Sequence, residues 1–156
     1  MSEDPPNPRN FRAERAKFSQ AVGEAILAVG ELEFQTVYCI AILEDSRPSD
    51  IWAVRRLDQR VQRLRDAVAA VATSKTQLLN DLASNMASLG KRRNAIAHNP
   101  IHYQLRDTGF DQFVVETPAG KVLTVSDIEA IAFDAQRAID AFGTTMIELG
   151  RELGRF

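Results

Sequence analysis

Thr76–Pro100 reads TQLLNDLASNMASLGKRRNAIAHNP. Leu79, Leu82, Met86, Leu89, Arg93 and Ile96 recur in it at steps of three and four, the spacing of one face of an α-helix. Asn99 stands before Pro100, whose ring pushes the preceding residue out of helical geometry, so this helix is expected to end at His98. The seam is apolar except at Arg93. A charge on a core seam, beside a helix end that carries one of the chain's two histidines, breaks the pattern, and such breaks concentrate at functional sites.

The same spacing extends upstream. A first helix is expected from about Phe11 to Leu43. Ile26, Val29, Glu33, Thr36, Ile40 and Leu43 form one seam; Ala25, Val29, Leu32, Thr36, Cys39 and Leu43 form a second, equally regular. Gly23 and Gly30 lower helix propensity and invite close approach of another backbone. Asp45-Ser46-Arg47-Pro48 breaks the helix. Ser49 suits the N-cap of a second helix, with Asp50 in its first turn. Val54, Leu57, Val61, Leu64, Val68 and Val71 give that helix an uninterrupted stripe. Arg55, Arg56, Arg60, Arg63 and Arg65, offset by Asp58 and Asp66, occupy its other face. A solvated face whose stems cover apolar surface is the simpler expectation; a basic strip for phosphate contacts is the sharper one. Thr73-Ser74-Lys75-Thr76 turns the chain into the third helix.

Downstream of Pro100 the character changes. His102-Tyr103-Gln104-Leu105, Gln112-Phe113-Val114-Val115 and Lys121-Val122-Leu123-Thr124 read as short strands, with Asp107-Thr108-Gly109 and Pro118-Ala119-Gly120 as turns. Ser126 with Glu129 reads as a capping box for a fourth helix, whose seam is Ile128, Ile131, Ala135, Ala138, Phe142, Thr145 and Leu149. The expected fold is all-α: a bundle of four long helices with a small β meander, at about residues 102–124, inserted before the last helix. Residues 1–10 are expected to be disordered and 11–156 to form a single domain.

The bulk numbers bound function. At 156 residues the chain makes about one domain with a real core. Hydrophobic residues at 45% and charged residues at 26% are ordinary for a soluble protein. A formal net charge of -2 leaves no global field for polyanions, so nucleic acid would be held by a local patch. The single cysteine, Cys39, excludes an intramolecular disulfide and is expected as a buried small hydrophobe. One cysteine and two histidines on separate segments lead us to expect no metal site, and no cofactor is expected. Met1 to Pro8 lacks the apolar core of a signal peptide. The best membrane candidate, Leu27 to Leu43, is interrupted by Glu31, Glu33 and Gln35, so no span is expected and the chain is expected in the cytoplasm. No glycine-rich phosphate loop, serine-hydrolase elbow or paired-carboxylate motif is visible.

The first and third helices each carry one charge on an otherwise apolar or neutral seam, Glu33 and Arg93. Breaking a buried ion pair by removing one partner costs roughly 3–5 kcal/mol, so the two are expected to face each other or a water-filled groove. Glu33 would then orient the guanidinium; the alternative seam puts Glu33 at its edge. His98 sits where the helix dipole favours a cation and can exchange a proton near neutrality. Arg93 offers a planar fork for phosphate oxygens. Together they are the minimum equipment for cleaving RNA without metal: proton transfer at the ribose 2′-hydroxyl or the leaving oxygen, and stabilisation of charge building on phosphorus. Asn94 and Asn99 are candidates to hold the phosphate or the imidazole. The bland alternative is that Lys91, Arg92, Arg93 and His98 only stabilise the helix's last carbonyls.

Arg93-Asn94-x-x-x-His98 resembles the signature of the HEPN superfamily, an arginine followed by a polar residue and then a histidine after four to six residues. Gly30-Glu31-Leu32-Glu33-Phe34 is similar to the first helix of small bacterial HEPN-like proteins, which carry an acidic residue there. The resemblance covers the helices, about two thirds of the chain, and leaves out the β meander. It implies a metal-independent endoribonuclease that dimerises to bring two Arg-His motifs to one cleft, often as a toxin with a cognate antitoxin or as a defence component. Carried over by residue, Arg93 and His98 would be catalytic, Asn94 supportive and Glu33 an orienting partner. Some members keep the bundle and bind a nucleotide or a protein partner instead.

Lys91, Arg92, His102 and Tyr103 are further candidates for RNA contact, Tyr103 by stacking on a base. An ordinary strand histidine and a half-buried strand aromatic are the duller roles for the last two. Trp52 is expected in the core or at a contact between copies. Three functional classes follow: a homodimeric ribonuclease, a non-catalytic binding bundle, and a purely structural subunit.

Overall fold

Pro48 and Pro100 mark two places where the chain must leave one element and start another. The computed structural model describes residues 8–54, 56–104 and 112–156. It is a helical bundle with a small antiparallel sheet before the last helix. The order is α1 (Pro8–Glu44), α2 (Pro48–Trp52), α3 (Leu57–Ala70), α4 (Thr76–His98), β1 (Ile101–Gln104), β2 (Gln112–Glu116), β3 (Val122–Leu123) and α5 (Val125–Glu152). The turn at Asp107-Thr108-Gly109, the strand end at Leu105, and Arg55 lie outside the described residues, as does most of the tail expected to be disordered; its last residues, from Pro8, are helical.

α1 ends because Asp45 takes the left-handed conformation (φ 53) and Ser46 N–H bonds back to the Ala41 carbonyl at 3.0 Å. That is the Schellman arrangement, with aspartate where glycine is commoner. Its second expected seam is the buried one: Ala25, Val29, Leu32, Thr36, Cys39 and Leu43 are all in the core, whereas Ile26 of the first seam is exposed. Asn10–Glu44 of α1 is long and apolar enough to cross a membrane by length and composition alone, a property that the core helix of a bundle shares. Its apolar seam packs against the other helices of the bundle. Gly23 and Gly30 have open space rather than another backbone beside them.

The expected second helix is two. Pro48, not Ser49, begins a five-residue α2, after Arg47 in extended geometry. α3 starts afresh at Leu57 after an extended Arg56. No proline or glycine makes this break. It lets Ile51 bury completely, and Arg60 from the new helix donates its Nε–H to the Val54 carbonyl at 2.6 Å, satisfying a group the break sets free. Val61, Leu64 and Val68 of the expected stripe are buried.

α4 follows its seam: Leu79, Leu82, Met86, Leu89 and Ile96 are buried. It stops at His98 with Asn99 extended (φ -108, ψ 155), as the proline requires. The sheet order is β1-β2-β3, with Tyr103 opposite Phe113 and His102 opposite Val114. Alternation sends Tyr103 and Phe113 to one face, against Phe11 and Phe18 of α1. His102 takes the other face. α5 is capped by Thr124 and Asp127, not by Ser126 and Glu129: Thr124 Oγ1 accepts from the Asp127 N–H, and Asp127 Oδ2 accepts from the Thr124 N–H at 2.8 Å. The box therefore lies two residues earlier. The whole expected seam of α5 is buried.

Candidate functional site

Glu33 of α1 lies at the junction of α1, α3 and α4, and both of its oxygens are used. Oε1 accepts from Arg93 Nη2 of α4 at 2.6 Å, and Oε2 accepts from Arg60 Nη1 of α3 at 3.3 Å. Side-chain exposure falls from 28% at Arg93 to 18% at Glu33 and 7% at Arg60. The facing pair expected from the seams is therefore present, with Glu33 at the edge of the buried seam. Two guanidiniums share one carboxylate, which leaves the cluster one positive charge in excess. The Arg93 side chain stays partly exposed.

Arg60 is the member that sequence reasoning missed. It stands among the arginines expected on a solvated face, yet it is buried. Its spacing carried a signal: it is three residues after Leu57 and four before Leu64, so it sits at the border of the apolar stripe. Its guanidinium also lies 4.9 Å from the centre of the Trp52 ring. Trp52 is not a core residue. It forms an exposed aromatic cluster with α1, its ring centre 5.8 Å from Phe34, which in turn is 4.7 Å from Tyr38. Of the other arginines on this face, Arg63 makes a two-pronged bond to Glu44 (2.9 and 2.6 Å) and Arg56 one to Asp58 (3.1 and 2.7 Å). Each pairing favours the charged forms, holding the Arg63 pKa up and the Asp58 pKa down. Among the described residues of the basic strip, Arg56 and Arg63 are thus each paired with a carboxylate, while Arg65 donates to Ser84 Oγ at 3.4 Å.

His98 is exposed at the last position of α4. A step of five residues turns an α-helix by about 140° and advances it about 7.5 Å. Arg93 therefore follows the core seam while His98 leaves from the solvent side, the side that Lys91 and Asn94 share. Within one chain the two side chains of the motif diverge. Asn99, a candidate to hold the phosphate or the imidazole, donates its amide to the Ala95 carbonyl at 2.6 Å and closes the helix end.

The outlying candidates fall into separate places. Arg92 pairs with Asp134 of α5 at 2.6 Å. Lys91 and Arg92 line a cleft of about 290 Å³ with Lys121 and Asp127. His102 lies 3.7 Å from Glu116 and lines a shallow hollow with Asn99 and Pro118. Tyr103 is half-buried and packed among Phe11 and Phe113, with ring centres 4.9 and 4.8 Å away, at the junction of sheet and helix. Among the described residues, no three His, Cys, Asp or Glu side chains converge to hold a metal ion.

Compared with known proteins, the chain matches no family model, no curated protein and no solved structure.

Proposed function

We propose that the chain is a metal-independent ribonuclease of the HEPN type, with a cleft that two copies complete. The observation that carries this reading is the Glu33–Arg93 bond at 2.6 Å, which anchors a partly exposed arginine side chain five residues before an exposed histidine. A guanidinium held in place by a carboxylate binds phosphate oxygens without having to be ordered first. His98 supplies the proton transfer. The ribose 2′-oxygen, losing its proton to a base, forms a bond to the adjacent phosphorus; the bond from phosphorus to the 5′-oxygen breaks, and that oxygen takes a proton. The products are a 2′,3′-cyclic phosphate and a 5′-hydroxyl. Because Arg93 and His98 diverge along one helix, a second copy brings the complementary group to the same phosphate.

The test is cleavage of labelled RNA in chelator. The expected result is cyclic-phosphate ends from the parent protein and loss of cutting in both His98→Ala and Arg93→Ala. Cutting by either variant at the parental rate refutes the assignment. The divergence of the two side chains also favours a second reading, a non-catalytic bundle that binds a nucleotide or a protein partner. That reading predicts saturable binding with no cleavage of any RNA.

A further inference from the structure

We infer that Phe34, Tyr38 and Trp52 form a stacking platform for unpaired nucleobases, leading to the Arg93 guanidinium. The inference deepens the proposed function: it rests on the chain acting on nucleic acid, and it names a single strand as the substrate form. A contiguous exposed apolar patch marks a surface that meets a partner or ligand. Here three large aromatic rings form one, with 44%, 40% and 40% of their surfaces exposed. They come from two elements, α1 and α2, yet the rings lie 4.7 and 5.8 Å apart in a chain from Tyr38 through Phe34 to Trp52. Each spacing is that of a direct ring contact.

What lies beside the rings selects the occupant. The Arg60 guanidinium lies against the Trp52 ring at 4.9 Å and is itself held by Val54 and Glu33. Glu33 is the residue before Phe34 and also holds Arg93 at 2.6 Å. Platform and clamp are therefore one connected structure, with two cations against one anion. A purely apolar partner would leave that excess charge under a dry interface at a cost. A strand with flat bases and an anionic backbone meets both features: bases stack on the rings, and a phosphate meets the partly exposed Arg93 side chain. A duplex hides its base faces and cannot stack in this way.

Trp52 is the chain's only tryptophan, so its fluorescence reports on the platform directly. The experiment titrates the full chain with a short single strand of deoxyadenosine and with the matching duplex. The strand lacks the 2′-hydroxyl and cannot be cut, so binding is read apart from catalysis, and a failed cleavage assay leaves this result standing. The expected outcome is saturable quenching of Trp52 by the single strand, with the duplex at least about tenfold weaker. Phe34→Ala and Tyr38→Ala should each weaken single-strand binding by about tenfold. Circular dichroism checks that each variant is folded; if Phe34→Ala is not, Phe34→Leu keeps the bulk and removes the ring. No quenching, equal binding of duplex, or unchanged affinity in the folded variants overturns the inference. So does a Trp52 emission that shifts with protein concentration alone, which would assign the face to a second copy of the chain.

Discussion

Replacing Glu33 by glutamine should destabilise the fold more than replacing Arg93, the more exposed of the two arginines it holds. The change keeps the size of the side chain and removes one negative charge, so Arg60 and Arg93 lose their shared counter-ion together. Breaking a buried pair by removing one partner costs about 3–5 kcal/mol, and an exposed pair about 0–1. Arg60 at 7% exposure belongs near the first case and Arg93 at 28% nearer the second. Taking the low end of the buried range for Arg60, about half a kilocalorie for Arg93, and returning about 0.5 kcal/mol for the bond the amide oxygen still accepts, the loss is about 3 kcal/mol. For a domain of this size that lowers Tm by about 6–12 °C. Arg93→Gln should cost less, because Glu33 keeps Arg60. The double variant should be no worse than Glu33→Gln alone, since the second change removes a charge the first left stranded. Calorimetry on the three proteins checks the order. A Glu33→Gln midpoint within about 2 °C of the parent, or additive losses in the double variant, would refute the shared-carboxylate account.

Three further outcomes follow from other parts of the fold. A β-carbon on Gly90 would lie 2.0 Å from a Leu57 methyl, so Gly90→Ala should destabilise by about 1–2 kcal/mol despite better helix propensity; Gly30, with nothing within 4 Å, should tolerate alanine and gain about 0.5–1 kcal/mol. Urea melts that rank the two the other way contradict the packing. Burial pushes the Cys39 thiol from 9.0 to about 12, so it should resist thiol reagents until the protein unfolds. The unfolded chain releases this proton first, so stability should fall as pH rises from about 9 to 12; a rise over that interval, in a comparison with Cys39→Ala, has the wrong sign. The Thr124 backbone and hydroxyl bonds hold the Asp127 carboxyl below its ordinary 3.8. Its contribution is full above that value and disappears as pH falls through the lowered one. Thr124→Ala should cost about 1 kcal/mol at neutral pH and less in acid; an equal loss at both would separate the cap from the carboxylate.

The long helices were legible because apolar residues at steps of three and four need only one buried face, and α4 and α5 buried nearly every residue that spacing singled out. The end of α4 was legible from Pro100. The partnership of Glu33 with Arg93 was legible for a related reason: two ions on two core seams must meet or pay desolvation. The capping box was displaced by two residues because Thr124-Val125-Ser126-Asp127 and Ser126-Asp127-Ile128-Glu129 satisfy nearly the same pattern, and the strand end at Leu123 decides between them.

By itself the sequence determined an all-α bundle, its sheet insertion and the address of the charged cluster, since all three rest on local periodicity, turn chemistry and the cost of an unpaired ion. Only the tertiary structure decided that the second helix splits, that Arg60 joins Glu33 beneath Trp52, and that three aromatic rings gather at the surface beside the clamp. Those outcomes depend on which helix lies against which. A carboxylate on α1 can draw a guanidinium out of a seemingly solvated row only once α3 is packed beside it.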